Sequence, residues 1–219
     1  MRFDEFFNIC GQLLPGMTVT LEIFFFTLLF ALPLGMLVAI GRMSRYKIVQ
    51  LIFRLYIAIV RGTPLMLQLL VVYFGPYYIL GISISSEYRA YATIIAFSCN
   101  YAAYFAEIYR TGINSIDNGQ REAAYVLGYN RAQTFFYIIL PQVIKRIIPA
   151  MTNEFVTLVK DTSLAFCIAY AEMFTEAKRI AAASTSMLPF FAAGTFYFVF
   201  NALVAFIMKK AEDKLNYYD

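Results

Sequence analysis

The sequence predicts an all-α, polytopic membrane protein with five transmembrane helices, and three observations carry that expectation. Of its 219 residues 61% are hydrophobic and only 15% charged, where a soluble domain carries roughly 25% charge. Its apolar residues gather into runs of about 20, the length at which a helix crosses hydrocarbon with its backbone satisfied internally. Its charges cluster at the ends of those runs rather than along a solvated face, and mean hydropathy is +0.64.

Residues 3–14 place Phe3, Phe6, Phe7, Cys10 and Leu14 at helical spacing, which suits a short helix lying on the membrane surface. The first span then runs over residues 19–40. Residues 48–60 are too short to cross and read as an interfacial or partly inserted lead-in to the second span, residues 64–84. A third follows at 91–109, a polar-punctuated fourth at 147–170 and a fifth at 189–208. The whole chain, 1–219, reads as one membrane domain, with a loop at 112–146 inside it. The start is too acidic, and too broken by Pro15 and Gly16, for a cleavable signal. The first span should therefore stay in the protein.

With five spans, Arg42, Arg45, Lys47, Arg110, Arg121, Arg131, Lys145, Arg146, Lys209, Lys210 and Lys214 fall on one side. Arg2, Arg89, Lys178 and Arg179 fall on the other. Eleven basic residues against four make the first side cytoplasmic. The N-terminus then faces outward and the C-terminal tail inward. A net charge of +4, scattered in short clusters, gives no surface for nucleic acid. There is no histidine, and Cys10, Cys99 and Cys167 show no paired spacing, so metal and histidine-based chemistry lack their usual ligands and bases. No cofactor site is expected in the chain.

The loop is far too long for a simple helical hairpin connection. Asp117 or Asn118 can cap a helix through Glu122, Ala123 and Ala124, and Gly128 interrupts it. A second helical stretch runs from Asn130 up to Pro141. Small alanines permit close approach by a partner, and Gly128 permits a left-handed turn. Such a helix lying across the membrane surface is shaped for docking.

This segment resembles the EAA loop of permease subunits of ABC importers. Glu122, Ala123, Ala124, Gly128, Ile138, Leu140 and Pro141 all match that pattern at its spacing. Arg61-Gly62-Thr63-Pro64-Leu65 is similar to a segment of the polar amino-acid permeases, which handle histidine, arginine, glutamine, glutamate, cystine and opines. Asn153-Glu154-Phe155, Lys160-Asp161-Thr162-Ser163-Leu164, and Tyr104, Glu107 and Arg110 resemble the same group. The likeness covers residues 18–209. It implies a type I ABC importer permease fold in a prokaryotic cell membrane. Its partners would be two ATP-binding subunits, a second permease subunit and an extracytoplasmic solute-binding protein, besides membrane lipid. A homodimer is favoured over a heterodimer. The chain has no GxxxxGK[ST] phosphate loop, so ATP and Mg belong to the partner ATPase.

The resemblance makes Glu122, Ala123, Ala124 and Gly128 the coupling element to the ATPase. An unpaired carboxylate within a span is costly, which makes Glu154 the sharpest candidate for a substrate ammonium; an ion pair with Lys160 or Arg146 is the alternative. Thr157 and Asp161 follow Glu154 at helical spacing and share its face. On the third span Asn100 and Tyr104 are cavity candidates, with helix-to-helix hydrogen bonding as the competing account, the stronger one for Glu107. Arg61, Gly62, Thr63 and Pro64 read as an architectural break, with Pro64 in the first turn of a new helix and Thr63 helping to cap it. Lys160 to Ser163 either unwind the fourth span or supply an ion pair that holds the dimer or locks a gate. The expected cargo is a polar amino acid, a cationic one such as arginine, lysine or histidine being favoured, with cystine or glutamine/glutamate as alternatives. The binding protein would dock on residues 81–89 and 171–188. An ion-coupled secondary transporter using Glu154 and Asp161, or a non-transporting scaffold, are the readings from other classes.

Overall fold

The computed structural model describes residues 3–215, in which no strand is found. Arg2, the side chain of Phe3 and the last four residues of the basic tail lie outside the described residues. The elements are α1 (Phe3–Arg42), α2 (Lys47–Gly62), α3 (Leu65–Leu80), α4 (Tyr88–Asn114) and α5 (Asn118–Val126). They continue with α6 (Arg131–Gln133), a π-helical turn (Thr134–Ile139), α7 (Leu140–Asp161), a 3-10 segment (Thr162–Ile168), α8 (Met173–Ser184) and α9 (Leu188–Leu215).

No separate surface helix precedes the first span. Residues 3–14 are the start of α1, which runs unbroken for 40 residues with Pro15 and Pro33 inside it. A proline removes one intrahelical bond, and packing around Pro15 offsets that loss. Ile9 and Leu13 are buried in a cluster with Met173 and Ala177 of α8 and Ala192 of α9. Gly16 is a close-approach point rather than a break: a Cβ there would sit 2.8 Å from the Met173 Cα.

α2 and α3 meet at 107°. Pro64 forbids a helical Thr63, which is extended at φ −123°, ψ 145°. Pro64 itself takes the N-cap position of α3, not its first turn, and the Thr63 hydroxyl donates back to Ile59 C=O instead of capping α3. Gln68 closes the corner: its amide donates to Val60 C=O, Thr63 C=O and Thr63 Oγ1. α3 ends early at Gly81, in the left-handed region at φ 66°.

α4 occupies the centre and packs on α1, α2, α3 and α7. Phe97, Tyr101 and Phe105 are fully buried along it, together with Thr93, Ser98 and Asn100. α1, residues 131–168 and α9 are each long and apolar enough to cross a membrane, and the bent α2–α3 pair makes a fourth candidate. α4, at 27 residues, has the length to cross, but it turns its polar groups into the bundle and leaves few large apolar side chains, Tyr91 and Ile95 among them, exposed.

Pro141 does not end the second helix of the loop. One helical run extends over residues 131–168. The widened π turn just before Pro141 re-routes backbone bonds where the proline ring would clash with the preceding turn. Beyond Asp161 the run tightens into its 3-10 segment and stops at Ala169, left-handed at φ 54°.

Glu172 then starts α8. Its carboxylate is fully buried and accepts from Phe174 N and Thr175 N (2.7 Å each), Thr175 Oγ1 (2.8 Å) and Tyr197 OH (3.0 Å). Burial pushes this carboxyl above its ordinary range, and the four donated bonds pull the other way.

Candidate functional site

A cleft of about 500 Å³ opens between the end of α2, the second half of α4 and the middle of α7. Arg61 enters from α2, Tyr104, Glu107 and Thr111 from α4, and Arg146, Ala150 and Glu154 from α7. Arg61 reaches it because the Gly62–Pro64 corner turns α2 away from α3. Its guanidinium lies 4.9 Å from the centre of the Tyr104 ring, a cation–π contact that holds the charge over the cavity.

The carboxylates in the cleft differ. Glu107 is satisfied by Arg110, whose Nε donates to it at 3.0 Å and whose Nη2 adds a second bond. Glu154 is half-buried and forms no hydrogen bond or ion pair among the described residues. Neither Lys160 nor Arg146 neutralises it, and Arg146 donates instead to Ser115 C=O. The cleft therefore presents one unpaired carboxylate opposite guanidinium groups, an arrangement able to take both ends of a zwitterion.

The other expected cavity residues lie elsewhere. Asn100 is 5% exposed and donates to Gln68 Oε1 at 3.0 Å, tying α4 to the α2–α3 corner. Asp161 accepts from Tyr101 OH at 2.8 Å. Thr157 is exposed, away from the cleft, and so is Lys160, whose carbonyl accepts from Ser163 Oγ. Both polar pairs sit beyond the cleft on its α8 side and join α4 to its neighbours. Gln68, Tyr101, Arg146 and Thr111 were not singled out as cavity or lining residues from the sequence. Gln68 meets Asn100, Tyr101 meets Asp161 and Arg146 meets Ser115, each 31 to 60 residues away, so no local spacing could reveal those three.

At the opposite end, α5 is capped by Asp117, whose Oδ1 accepts from Gly119 N at 2.6 Å. Glu122 and Ala123 are exposed, whereas Ala124 is buried against the chain's own π turn. The surface α5 offers is its apolar tip: Tyr125, Val126 and Leu127 are 81%, 84% and 74% exposed. Gly128 follows at φ 81°, where it redirects the chain into Asn130, the N-cap of α6 with a reciprocal bond to Gln133. No cluster able to hold a metal is present among the described residues.

A bundle of membrane-length apolar helices around a charged cleft, with a short helix exposing an apolar tip at one end, is an architecture suited to transport across a membrane. Residues 31–217 match the family described as binding-protein-dependent transport system inner membrane component, and the chain belongs to that family, as an ABC transporter permease subunit and not itself an enzyme. It is 37% identical over 205 residues to the arginine transport system permease protein ArtQ of Bacillus subtilis (strain 168), covering 93% of this chain and 92% of that one. It is 35% identical over 217 residues to the L-cystine transport system permease protein TcyL of the same organism, covering 95% and 91%. Among solved structures it matches an amino acid ABC transporter crystallised with histidines, at TM-score 0.88 and 31% identity over 98% of this chain and 99% of that one.

Proposed function

We propose that the chain is the five-span permease domain of an ATP-driven importer. It moves a polar amino acid, delivered by an extracytoplasmic solute-binding protein, across a prokaryotic cell membrane, the inner one in a two-membrane cell. The observation that carries this is the unpaired Glu154 carboxylate facing Arg61 across the cleft. Glu154 receives the solute ammonium, Arg61 its carboxylate, and Tyr104 lines the floor between them. Glu154, with Asp161 two turns further along α7, gives the route a second carboxylate, which favours a cationic solute; the relatedness to an arginine permease supports the same choice.

The arrangement reads as inward-facing. The cleft opens beside Gly112, Ser115 and Arg146, toward the α5 end. The Tyr101–Asp161 and Asn100–Gln68 bonds close the path on the other side. Opening outward requires both to part, after which Asn100, Thr157 and Asp161 become contacts along the route. That change is a shift between two packings, driven through α5 within the coupling loop at 112–146. Glu122, Ala123 and the apolar tip seat in a partner ATPase, Ala124 anchors the helix to the permease, and Gly128 holds its angle. Two ATPase copies, carrying ATP and Mg, and two copies of this permease complete the assembly. Relatedness to permeases of binding-protein-dependent systems supports it.

The test is uptake into vesicles by the assembled complex, competed by a panel of amino acids. Glu154→Gln should cut uptake at least tenfold while the ATPase subunits still copurify, since loss of one charged contact to a bound solute is worth about 1.5–3 kcal/mol. Unchanged uptake kinetics in Glu154→Gln would remove Glu154 from the path.

A further inference from the structure

The exposed side of α7 is not a lipid face. Pro149, Asn153, Thr157 and Lys160 are exposed, and at 3.6 residues per turn they fall within one sector of about 80°. Among the described residues no large apolar side chain is exposed from Lys145 to Ser186, whereas α1 and α9 turn out Phe25, Leu37, Phe198 and Leu203.

Lys160 stands near the middle of the bilayer. Arg89 and Arg110 are 21 residues apart on α4, a rise of about 31 Å that matches the hydrocarbon thickness. Tyr101 lies between them, about 18 Å from the first and about 13 Å from the second, and its hydroxyl donates to Asp161 at 2.8 Å. On the α7 side, Ile147 lies directly against Gly112. Lys160 is 13 residues further on, about 19 Å, which reaches the same level. Its four-carbon stem is too short to carry the ammonium roughly 15 Å to either interface. Yet the ammonium forms no hydrogen bond or ion pair among the described residues, Asp161 of its own chain included. An unpaired charge facing lipid at that depth is too costly to persist.

Charge identifies what covers it. Glu154 faces the cleft six residues earlier on α7, Glu107 is held by Arg110, and Glu22 lies beside Tyr91 near the α8-end interface. The other described carboxylates, Asp161 apart, lie at or beyond the ends of the spans. Asp161 is partly exposed; its Oδ2 accepts from Tyr101, and its Oδ1 has no donor among the described residues. An unpaired cation and a half-satisfied carboxylate thus occupy consecutive residues at one level. Such a pair is self-complementary. A twofold axis, under which residue i meets j and j meets i, sets each charge opposite its counterion.

We propose that a second copy of this chain covers the α7 face, and that Lys160 of each copy donates to Oδ1 of the partner's Asp161. The four charges close the route at the bilayer centre in the inward-facing arrangement. Asn153 and Thr157 give the same seam hydrogen-bonding groups, which suit a contact between helices within a membrane. The contact rests on the reading that two copies complete the assembly, and it names what joins them. Paired, the charges neutralise one another where none could stand alone. Opening outward parts them together with the Tyr101–Asp161 bond.

The experiment uses the permease–ATPase complex with Cys10, Cys99 and Cys167 replaced by alanine and two differently tagged permease copies expressed together. One copy carries Lys160→Cys and the other Asp161→Cys. Without nucleotide, a short bis-methanethiosulfonate linker should join both tags in one band. Most of that band should be lost when ATP and vanadate trap the outward-opening state. No joined band, or equal bands in the two states, overturns the proposal. Charge exchange, with the native cysteines kept, is the second arm. Complexes of Lys160→Asp copies alone, or of Asp161→Lys copies alone, should lose uptake roughly tenfold or more, the scale of a buried charge left unpaired. A mixed complex, selected through both tags, keeps both pairs between copies although neither copy keeps a pair of its own. Its uptake should stand roughly tenfold above either unmixed complex; equal uptake in all three overturns the proposal. If the mixed complex does not assemble, the linker decides alone. Failure of two otherwise unaltered tagged copies to copurify overturns the proposal and the two-copy reading together. Joined tags in a complex without amino-acid uptake would strike the importer reading and leave this contact standing.

Discussion

Glu172 carries more of the α8 end of the bundle than any charged residue the sequence brings to notice. Its four donors come from the first turn of α8 and from Tyr197 of α9. The neighbouring Met173 N donates to Thr20 Oγ1 of α1 at 3.2 Å. One carboxylate and one hydroxyl thus fasten three helices at a point no hydrophobic pattern marks. Glu172→Ala removes a helix cap and leaves buried donors unpaired, a loss of roughly 3 kcal/mol. Thermal unfolding of the purified protein should shift down by roughly 5–10 °C; an unshifted transition would show that the carboxylate contributes nothing to the packing. Glu154 was readable from the sequence because an acidic residue within an apolar run is conspicuous. Glu172 was not, because in a loop a glutamate is ordinary until its burial is known.

The Gly128 turn and the α5 helix before it show two different limits on what the chain reveals before folding. Gly128 announces a left-handed turn because few other residues tolerate φ 81°. The α5 cap, its termination and the restart at Asn130 could all be placed from local chemistry. The outward face of α5 could not. Alanines suggest a contact surface, but Ala124 packs inward and the exposed apolar tip is Tyr125 to Leu127. Likewise Pro141 suggests a helix end, and a π turn absorbs it. Such an apolar tip on an otherwise polar helix is the anchor expected of an interface. Leu127→Asp should therefore weaken copurification of the ATPase subunits at least tenfold while leaving the thermal transition within a few degrees. Full retention of the ATPase would shift the coupling contact elsewhere on the chain. At the other corner, Gln68→Ala strips three bonds from the α2–α3 junction and one from Asn100. Reduced uptake with normal ATPase binding is expected, because Arg61 is aimed by that corner; wild-type uptake would show that the corner holds without Gln68.

The bundle as an object has two unlike ends, and its orientation in the membrane follows from where charge and polarity collect. Arg42, Arg110, Arg146 and the Lys209–Lys210 pair lie at the end bearing α5, while α8 and the 81–87 turn form the other. Apolar length and composition were legible early, since greasy runs survive any rearrangement of contacts. The bend of α2 against α3 and the inward polarity of α4 were not, since both depend on neighbours. On the proposed orientation, which rests on charge asymmetry, the α5 end faces the cytoplasm, where a partner ATPase would reach it and where the cleft would open. Two single-cysteine proteins check this, each in a background with Cys10, Cys99 and Cys167 replaced by alanine. Ser83→Cys lies on the exposed turn and Leu127→Cys on the exposed α5 tip. In intact spheroplasts a membrane-impermeant maleimide should label Ser83→Cys and spare Leu127→Cys, which should react only after lysis. The reverse pattern would invert the protein in the membrane. It would put the cleft mouth outside and the docking helix beyond reach of any cytoplasmic ATPase, so that neither the import direction nor the coupling role of α5 could stand.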